Sequence, residues 1–125
     1  MKLVTVTLPF PDMRLNPNKS KGTHWAATSG LRKKAKHVGH ILGLEAAHKA
    51  GWEAHGQDVP LRITFEMPDR RWRDRDNLLA ALKPSLDGIA CALGVDDSQF
   101  EPVTLRRTYG RQPGAVHIEI GGIAP

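Results

Sequence analysis

The sequence is organised around the stretch LRITFEM, which runs from Leu61 to Met67. Its apolar residues alternate with polar ones, which is the pattern of a β-strand with one buried face. The strand leads directly into DRRWRDRDN, from Asp69 to Asn77, where four arginines alternate with three aspartates. Chain direction changes where a strand ends, so side chains of neighbouring elements can gather there. We therefore expect the chemistry of the protein at the Asp/Arg stretch.

A leucine-rich helical pattern follows the Asp/Arg stretch. Its apolar residues recur at steps of four, three and four from Leu82 to Leu93, and Gly94 is a typical C-terminal stop. Pro84 lies too deep in this segment to be a first-turn proline. The pattern predicts a helix from about Asn77 to Leu93, with a kink at the proline.

A second helix is predicted between Ser29, a suitable N-cap, and the region of Gly51. Its apolar stripe consists of Leu31, Ala35, Val38 and Leu42. Between Asp12 and Glu45 there are seven Lys or Arg residues and no acid. A solvated charged face is one explanation of this asymmetry, and a surface that binds nucleic acid is the other.

The remaining segments predict three further strands. Residues 2–8 alternate as one strand, and residues 103–107 and 115–120 form two strands joined by a turn, which we interpret as a β-hairpin. The order is therefore strand, helix, strand, helix, hairpin. This order predicts an α+β fold in which two helices pack on a sheet of about four mixed or antiparallel strands, as a single domain over residues 1–125.

Composition limits the class of protein. A chain of 125 residues with 40% hydrophobic content can bury a core without disulfides, and Cys91 has no cysteine partner. The N-terminal residues 1–10 lack the apolar run of a signal peptide or a membrane span. We expect a soluble cytoplasmic protein with no membrane partner and no small-molecule cofactor. The net charge of +5 makes a polyanion a plausible partner.

The acids of the Asp/Arg stretch predict a metal site. Asp74 and Asp76 are two residues apart at the passage from strand to helix, a spacing that lets two carboxylates converge on one hard cation such as Mg²⁺. The flanking arginines suit a polyanion, because a guanidinium offers a planar fork to phosphate. The alternative is local, since aspartates in the first turn of a helix often cap free N–H groups and complement the helix dipole.

Three stretches occur in a fixed order, namely MPDRR at residues 67–71, RDRDNL at residues 73–78 and VDDSQ at residues 95–99, in a chain that opens with LPFP at residues 8–11. Together they resemble the RusA-type Holliday junction resolvases of bacteria and their prophages. The resemblance covers about residues 65 to 100, with support at the N-terminus. As a composite, these stretches are far more specific than two spaced aspartates.

The resemblance implies a small homodimeric endonuclease that depends on Mg²⁺, with Mn²⁺ as a substitute, and cuts four-way DNA junctions by paired symmetric nicks. Asp74 and Asp76 match the paired aspartates of the family, and Asp97 matches its third catalytic acid. Asp96, beside it, is a further candidate metal ligand. Arg73 matches a basic residue that precedes the first acid. The predicted DNA-binding residues are Lys19, Lys21, Arg32, Lys33, Lys36, Arg70, Arg71 and Arg75.

The chain departs from the family at one catalytic position. The typical enzyme has a lysine four residues after the second aspartate, where this chain has Ala80. Lys83, three residues later, is the nearest candidate for its role. Helical side chains lean toward the helix N-terminus, so the Lys83 ammonium group could approach the same phosphate.

Three other functions are compatible with parts of the sequence. A non-catalytic DNA-binding or architectural protein could keep the same scaffold, and the missing lysine makes this the main alternative. An enzyme of nucleotides or phosphosugars with two spaced aspartates would need a sugar-nucleotide pocket and a longer chain. In an RNA-binding protein of ribosomal type the acids would be incidental.

Overall fold

A computed structural model describes residues 1–16 and 25–122 of the chain. Within them the main elements, in chain order, are β1 (Leu3–Pro9), α1 (Ser29–Ala50), β2 (Val59–Met67), α2 (Arg75–Leu93), β3 (Phe100–Tyr109) and β4 (Ala115–Gly121). Neither helix of this described part is long and apolar enough to cross a membrane. The predicted DNA contacts Lys19 and Lys21 lie outside the described residues.

The predicted α+β class is confirmed, since two helices pack on a four-stranded mixed sheet in the described part of the chain. The strand order is β1-β4-β2-β3. β4 runs antiparallel to both of its neighbours, whereas β2 and β3 run parallel. β2 and β4 therefore occupy the centre of the sheet, and β1 and β3 form its edges.

The predicted β-hairpin of β3 and β4 is wrong. These strands lie on opposite sides of β2, where Ile63 pairs with Leu105 of β3 on one side and with Ile118 of β4 on the other. α2 carries the chain back to the starting end of β2 before β3 begins, as a crossover between parallel strands requires. Alternation predicts each strand but does not reveal that a third strand lies between them.

The hydrophobic core lies between one face of the sheet and the helices. Every second residue of β1, β2 and β4 is buried, including Val6, Phe65 and Ile118. α2 adds Leu78 and Leu82, which are also buried. Burial of each such side chain stabilises the fold by about 1.5 to 3 kcal/mol. The other face of the sheet carries mostly polar side chains, and neither α1 nor α2 packs on it.

Glycines allow α1 and α2 to approach at backbone distance. A Cβ atom on Gly39 would lie 2.3 Å from the carbonyl oxygen of Ser85, and one on Gly88 would lie 2.0 Å from that of Lys36. Gly43, one turn beyond Gly39, lies against the backbone of Ile89. From Gly39 to Gly43 of α1, the contact on α2 advances from Ser85 to Ile89 and Ala92, so the two helices run parallel.

This close approach explains why the predicted stripe of α1 is only half-buried. Leu31, Ala35, Val38 and Leu42 flank the contact with α2, whereas the fully buried residues of the helix are Gly39, Gly43 and Ala47. The helix starts at Ser29, with Thr28 rather than Ser29 as the N-cap residue.

The predicted end of α2 is confirmed, and the helix begins at Arg75, two residues before the predicted start at Asn77. The helix ends at Leu93, and Gly94 follows it with a φ of 68°, a left-handed conformation that glycine adopts without strain. Pro84 lies inside the helix, as the sequence indicates.

We predict that Gly88→Ala lowers the free energy of unfolding by about 3 kcal/mol, because the added methyl group meets the backbone of α1 and the helices must separate. Gly30→Ala is the matched control. Gly30 lies in the first turn of α1 with nothing within 4 Å of a built Cβ, so alanine there should stabilise the protein by about 0.5 to 1 kcal/mol. Urea denaturation followed by circular dichroism measures both changes. An unchanged midpoint for Gly88→Ala would contradict the backbone contact.

Candidate functional site

The Asp/Arg stretch lies at the carboxyl end of β2, where several elements end together. β3 ends beside it, because Tyr109 is in register with Met67. β1 also ends here, since Pro9 and Glu66 both pair with Ala115 of β4. α2 begins here, and the parallel helices bring the first turn of α1 toward the same end. Ligands commonly bind outside the carboxyl ends of parallel strands.

Arg73 and Asp69 hold the loop between β2 and α2 in place. Arg73 donates two hydrogen bonds to the Asp69 carboxylate, at 2.8 and 3.2 Å, and its guanidinium lies 5.2 Å from the ring centroid of Phe10. The hydrogen bond from Arg73, followed by one from the Arg71 N–H group, lowers the pKa of Asp69 to about 2. The Arg73 side chain is only 12% exposed. In this structure Arg73 fixes the loop.

Asp74 and Asp76 carry free carboxylates at the start of α2. Asp74 is the N-cap residue, and its carbonyl oxygen accepts a hydrogen bond from the Leu78 N–H group at 3.0 Å, but its side chain makes no capping bond. Asp76 lies in the first turn, and both side chains are exposed. Within the described residues, no ion pair or side-chain hydrogen bond engages either carboxylate. Capping therefore does not account for the Asp74 side chain.

Asp97 lies toward the other end of the strands, because Phe100, at the start of β3, pairs with Val59, at the start of β2. Lys83 Nζ donates to Asp97 Oδ2 at 2.9 Å and lies 3.5 Å from Oδ1 of Asp87. The hydrogen bond from Lys83 lowers the pKa of Asp97. The same bond raises the pKa of Lys83, although partial burial opposes it. Lys83 is therefore held in its charged form.

Asp96 caps the short 3-10 turn that follows α2. Its carboxylate accepts hydrogen bonds from the Ser98 N–H group, at 3.3 Å, and from the Ser98 hydroxyl, while its own N–H group donates to the Gln99 side chain at 2.8 Å. This reciprocal arrangement is a capping box. The Asp96 side chain is thus already engaged by its own turn.

The four predicted acids are not gathered in one place within the described chain. Lys83, to which Asp97 is bound, follows Asp76 by seven residues, which corresponds to about 10 Å along the helix axis. No three His, Cys, Asp or Glu side chains of the described residues form a group that could hold a metal ion. The structure therefore places Asp74 and Asp76 together at the start of α2, and Asp97 with Lys83.

The predicted DNA-binding cations of the described chain form two groups, because Arg70, Arg71 and Arg75 lie beside the acid pair, whereas Lys33 and Lys36 line a groove with Cys91 of α2. They lie on the loop, on the first residue of α2 and on the first two turns of α1. Except for Arg32, which is half-buried and donates to the Thr28 hydroxyl, all are exposed. These residues are Arg70, Arg71, Arg75, Arg32, Lys33 and Lys36.

Sequence reasoning missed two contacts of the loop. The Asp69 to Arg73 spacing of four residues is a signal that could have indicated their ion pair. No local signal predicts the contact of Arg107 with Trp72, whose ring centroid lies 4.4 Å from the guanidinium carbon. Arg107 reaches the loop because β3 pairs in parallel with β2, and Phe65 of β2 is its partner in the register.

Comparison with known proteins relates nearly the full length of this chain to a bacterial protein. No family model matches the chain. Over 126 residues the chain is 37% identical to an uncharacterized protein of Xylella fastidiosa strain Temecula1. The match covers 98% of this chain and 78% of that protein. The chain therefore belongs to the same family as this uncharacterized Xylella protein.

Proposed function

We propose that the protein is a structure-specific DNA endonuclease that depends on Mg²⁺ and resolves four-way junctions by paired symmetric nicks. The free carboxylates of Asp74 and Asp76 are the observation that carries the proposal. Arginines surround both acids, yet Arg73 binds Asp69 instead and leaves the pair available. The resemblance of residues 65–100 to RusA-type resolvases supplies the reaction class.

The acid pair fits a divalent metal in its chemistry. Asp74 and Asp76 would hold Mg²⁺ through carboxylate oxygens, and this ion commonly binds one or two carboxylates together with water and substrate phosphates. A bound Mg²⁺ would supply a Lewis acid for phosphodiester hydrolysis. Asp96 and Asp97 do not fit as ligands in the present arrangement, because Asp96 caps its own turn and Asp97 binds Lys83. No step of the proposal depends on them as ligands.

The exposed cations would bind the DNA backbone. Arg70, Arg71 and Arg75 flank the acid pair, and Lys33 and Lys36 extend the positive surface along α1. Contacts of this kind supply affinity that falls with salt and carries little sequence information. They would hold a strand so that one phosphate lies at Asp74 and Asp76.

Lys83 is proposed to serve as the lysine of the reaction in place of the one missing at Ala80. Asp97 and Asp87 keep its ammonium group charged and restrict its position. The charged group would stabilise negative charge on the strand, while Asp97 acts through it as a positioning residue.

Paired nicks require two sites on one particle. We propose a two-fold homodimer, because its symmetry matches the symmetry of an open four-way junction. We place the activity in the cytoplasm of a bacterial or phage-infected cell, where the single thiol of Cys91 would stay reduced.

A non-catalytic DNA-binding protein on the same scaffold is the second candidate. The observation that favours it is the engagement of Asp97 by Lys83, together with the separation of this pair from Asp74 and Asp76. Such a protein would bind branched DNA through the same cations without cutting it.

We predict that Asp74→Asn and Asp76→Asn each reduce nicking of a synthetic four-way junction in Mg²⁺ by about a hundredfold or more, because each removes an anionic ligand. Binding in EDTA should be unchanged or tighter, since less negative charge faces the DNA. Denaturing gels of an end-labelled junction and fluorescence anisotropy measure the two effects.

Asp58→Asn is the control for these variants, because Asp58 is an exposed acid at the opposite end of β2. It should cleave like the wild-type protein. Full cleavage by Asp74→Asn and Asp76→Asn would exclude the pair from the chemistry. Wild-type protein that binds the junction but makes no nick dependent on metal would establish the second candidate.

A double-mutant cycle tests the role of Asp97. If Asp97 acts through Lys83, then Asp97→Asn lowers the nicking rate less than Lys83→Met does, and the double variant is no slower than Lys83→Met alone. An additive loss would instead give Asp97 an independent role, such as binding metal.

The ion pair of Lys83 and Asp97 predicts a change in the pKa of Asp97 that NMR can measure. Lys83→Met should raise the pKa of the Asp97 carboxyl toward its ordinary value, because the hydrogen bond from Lys83 is the main cause of its depression. A depressed carboxyl pKa stabilises the folded state above the ordinary pKa, and this contribution is lost as pH falls through the folded-state value. Wild type and variant should therefore converge in stability at low pH. If the pKa of Asp97 were the same in Lys83→Met and in the wild type, the ion pair would be contradicted.

A further inference from the structure

We propose that Trp72, held by Arg107, is a platform on which an unpaired nucleobase of the bound DNA stacks. The inference rests on the proposed function only in taking branched DNA as the substrate, and it adds the feature of that DNA that the site recognises. It does not depend on whether the DNA is cut.

Trp72 is an exposed ring in a fixed position. Trp72 is 69% exposed, whereas Phe65 and Phe100 are buried. The Arg107 guanidinium lies 4.4 Å from its ring centroid and also donates to the Arg73 carbonyl oxygen at 3.0 Å. Exposure of a large apolar ring to water is unfavourable, and the contact with the Arg107 cation restricts the ring's orientation. Such a ring is pre-organised to stack against a flat ligand.

The loop around the ring is also held from the other side. Arg73, the next residue, binds Asp69 with two hydrogen bonds and contacts the Phe10 ring. The backbone on the C-terminal side of Trp72 therefore has little freedom, and Asp74 follows two residues later. A base on the platform would place its phosphate near the acid pair.

The surroundings of the ring select a nucleic acid rather than an apolar protein partner. Arg70 and Arg71 precede it in the loop, and Arg70 lines a surface groove together with Tyr109, which is 61% exposed. Aromatic rings among cations are the combination that binds single-stranded nucleic acid, since bases stack on the rings and phosphates meet the cations. An interface for an apolar protein surface would instead deplete charge around its centre.

Stacking on Trp72 would account for selection of branched DNA. Bases of a continuous duplex are stacked on each other and do not reach a protein ring without a cost in unpairing. Bases at a branch point or a strand end leave the stack more readily. The platform would thus bring the acid pair to phosphates beside unpaired nucleotides.

The test compares binding of unpaired and paired DNA in EDTA, so that cleavage has no part in it. The probes are a fluorescein-labelled oligothymidine strand and a labelled blunt-ended duplex. We expect Trp72→Ala to weaken binding of the single strand about tenfold or more and to leave duplex binding unchanged. Trp72→Phe should restore most of the affinity, because phenylalanine keeps an aromatic face. Leu44→Ala removes an exposed apolar side chain of α1 and is the control.

A second measurement tests the proposal without Trp72→Ala, in case that variant does not fold. A junction with 2-aminopurine at its branch point reports stacking by a change in its fluorescence when wild-type protein binds, and Trp72→Phe should alter that change. Equal affinity of Trp72→Ala and wild type for the single strand would overturn the proposal, as would an equal loss on duplex and single strand, or no change in 2-aminopurine fluorescence. Binding of unpaired DNA through Trp72 without any nicking would uphold the platform while refuting the nuclease.

Discussion

Parallel pairing of β2 with β3 is the constraint on which the rest of the structure depends. Neighbouring parallel strands need a crossover, so α2 must run the length of the sheet between them. The start of α2 is thereby fixed beside the carboxyl ends of both strands, and with it Asp74 and Asp76. Asp97, which comes just before β3, is fixed toward the other end. The topology that creates the acid pair also separates it from the third acid.

Charge pairing then sorts the acids into those that are engaged and those that are free. Arg73 binds Asp69, Lys83 binds Asp97, and neither cation reaches Asp74. These ion pairs are partly exposed, so each contributes little to stability. Their larger effect is positional, because one fixes the loop beside the free acid pair and the other holds Lys83 farther along α2. In the proposed nuclease, two carboxylates alone would bind Mg²⁺ weakly, so metal binding would depend on the phosphates of a bound substrate.

The glycine contacts between the helices determine where α1 lies relative to α2. Gly39 and Gly88 allow the parallel helices α1 and α2 to pack with their backbones in contact. The first turn of α1 therefore lies toward the end of the domain that presents the acid pair, whereas Lys33 and Lys36 line a groove with Cys91 of α2. Core packing and the distribution of surface charge are thus linked, since a helix displaced by a larger residue would move the cations with it.

The sequence by itself determined which segments become helices and strands, and it supplied the residues that we propose for the chemistry. Alternation from Leu61 to Met67 and the leucine repeat up to Gly94 are local patterns, because burial of one face imposes a period on each element. The α+β class follows from such patterns, whereas the free state of Asp74 and Asp76 is seen only in the folded chain. The sequence also placed Lys83 and Asp87 on one helical stripe.

Only the tertiary structure decided how these segments meet. β3 pairs with β2 rather than with β4, Arg107 reaches Trp72, and Lys83 binds Asp97, although each contact joins residues far apart in the chain. Such pairings depend on strand order, crossover direction and the closeness of the two helices. No local period records these features, because they arise from the packing of whole elements against each other.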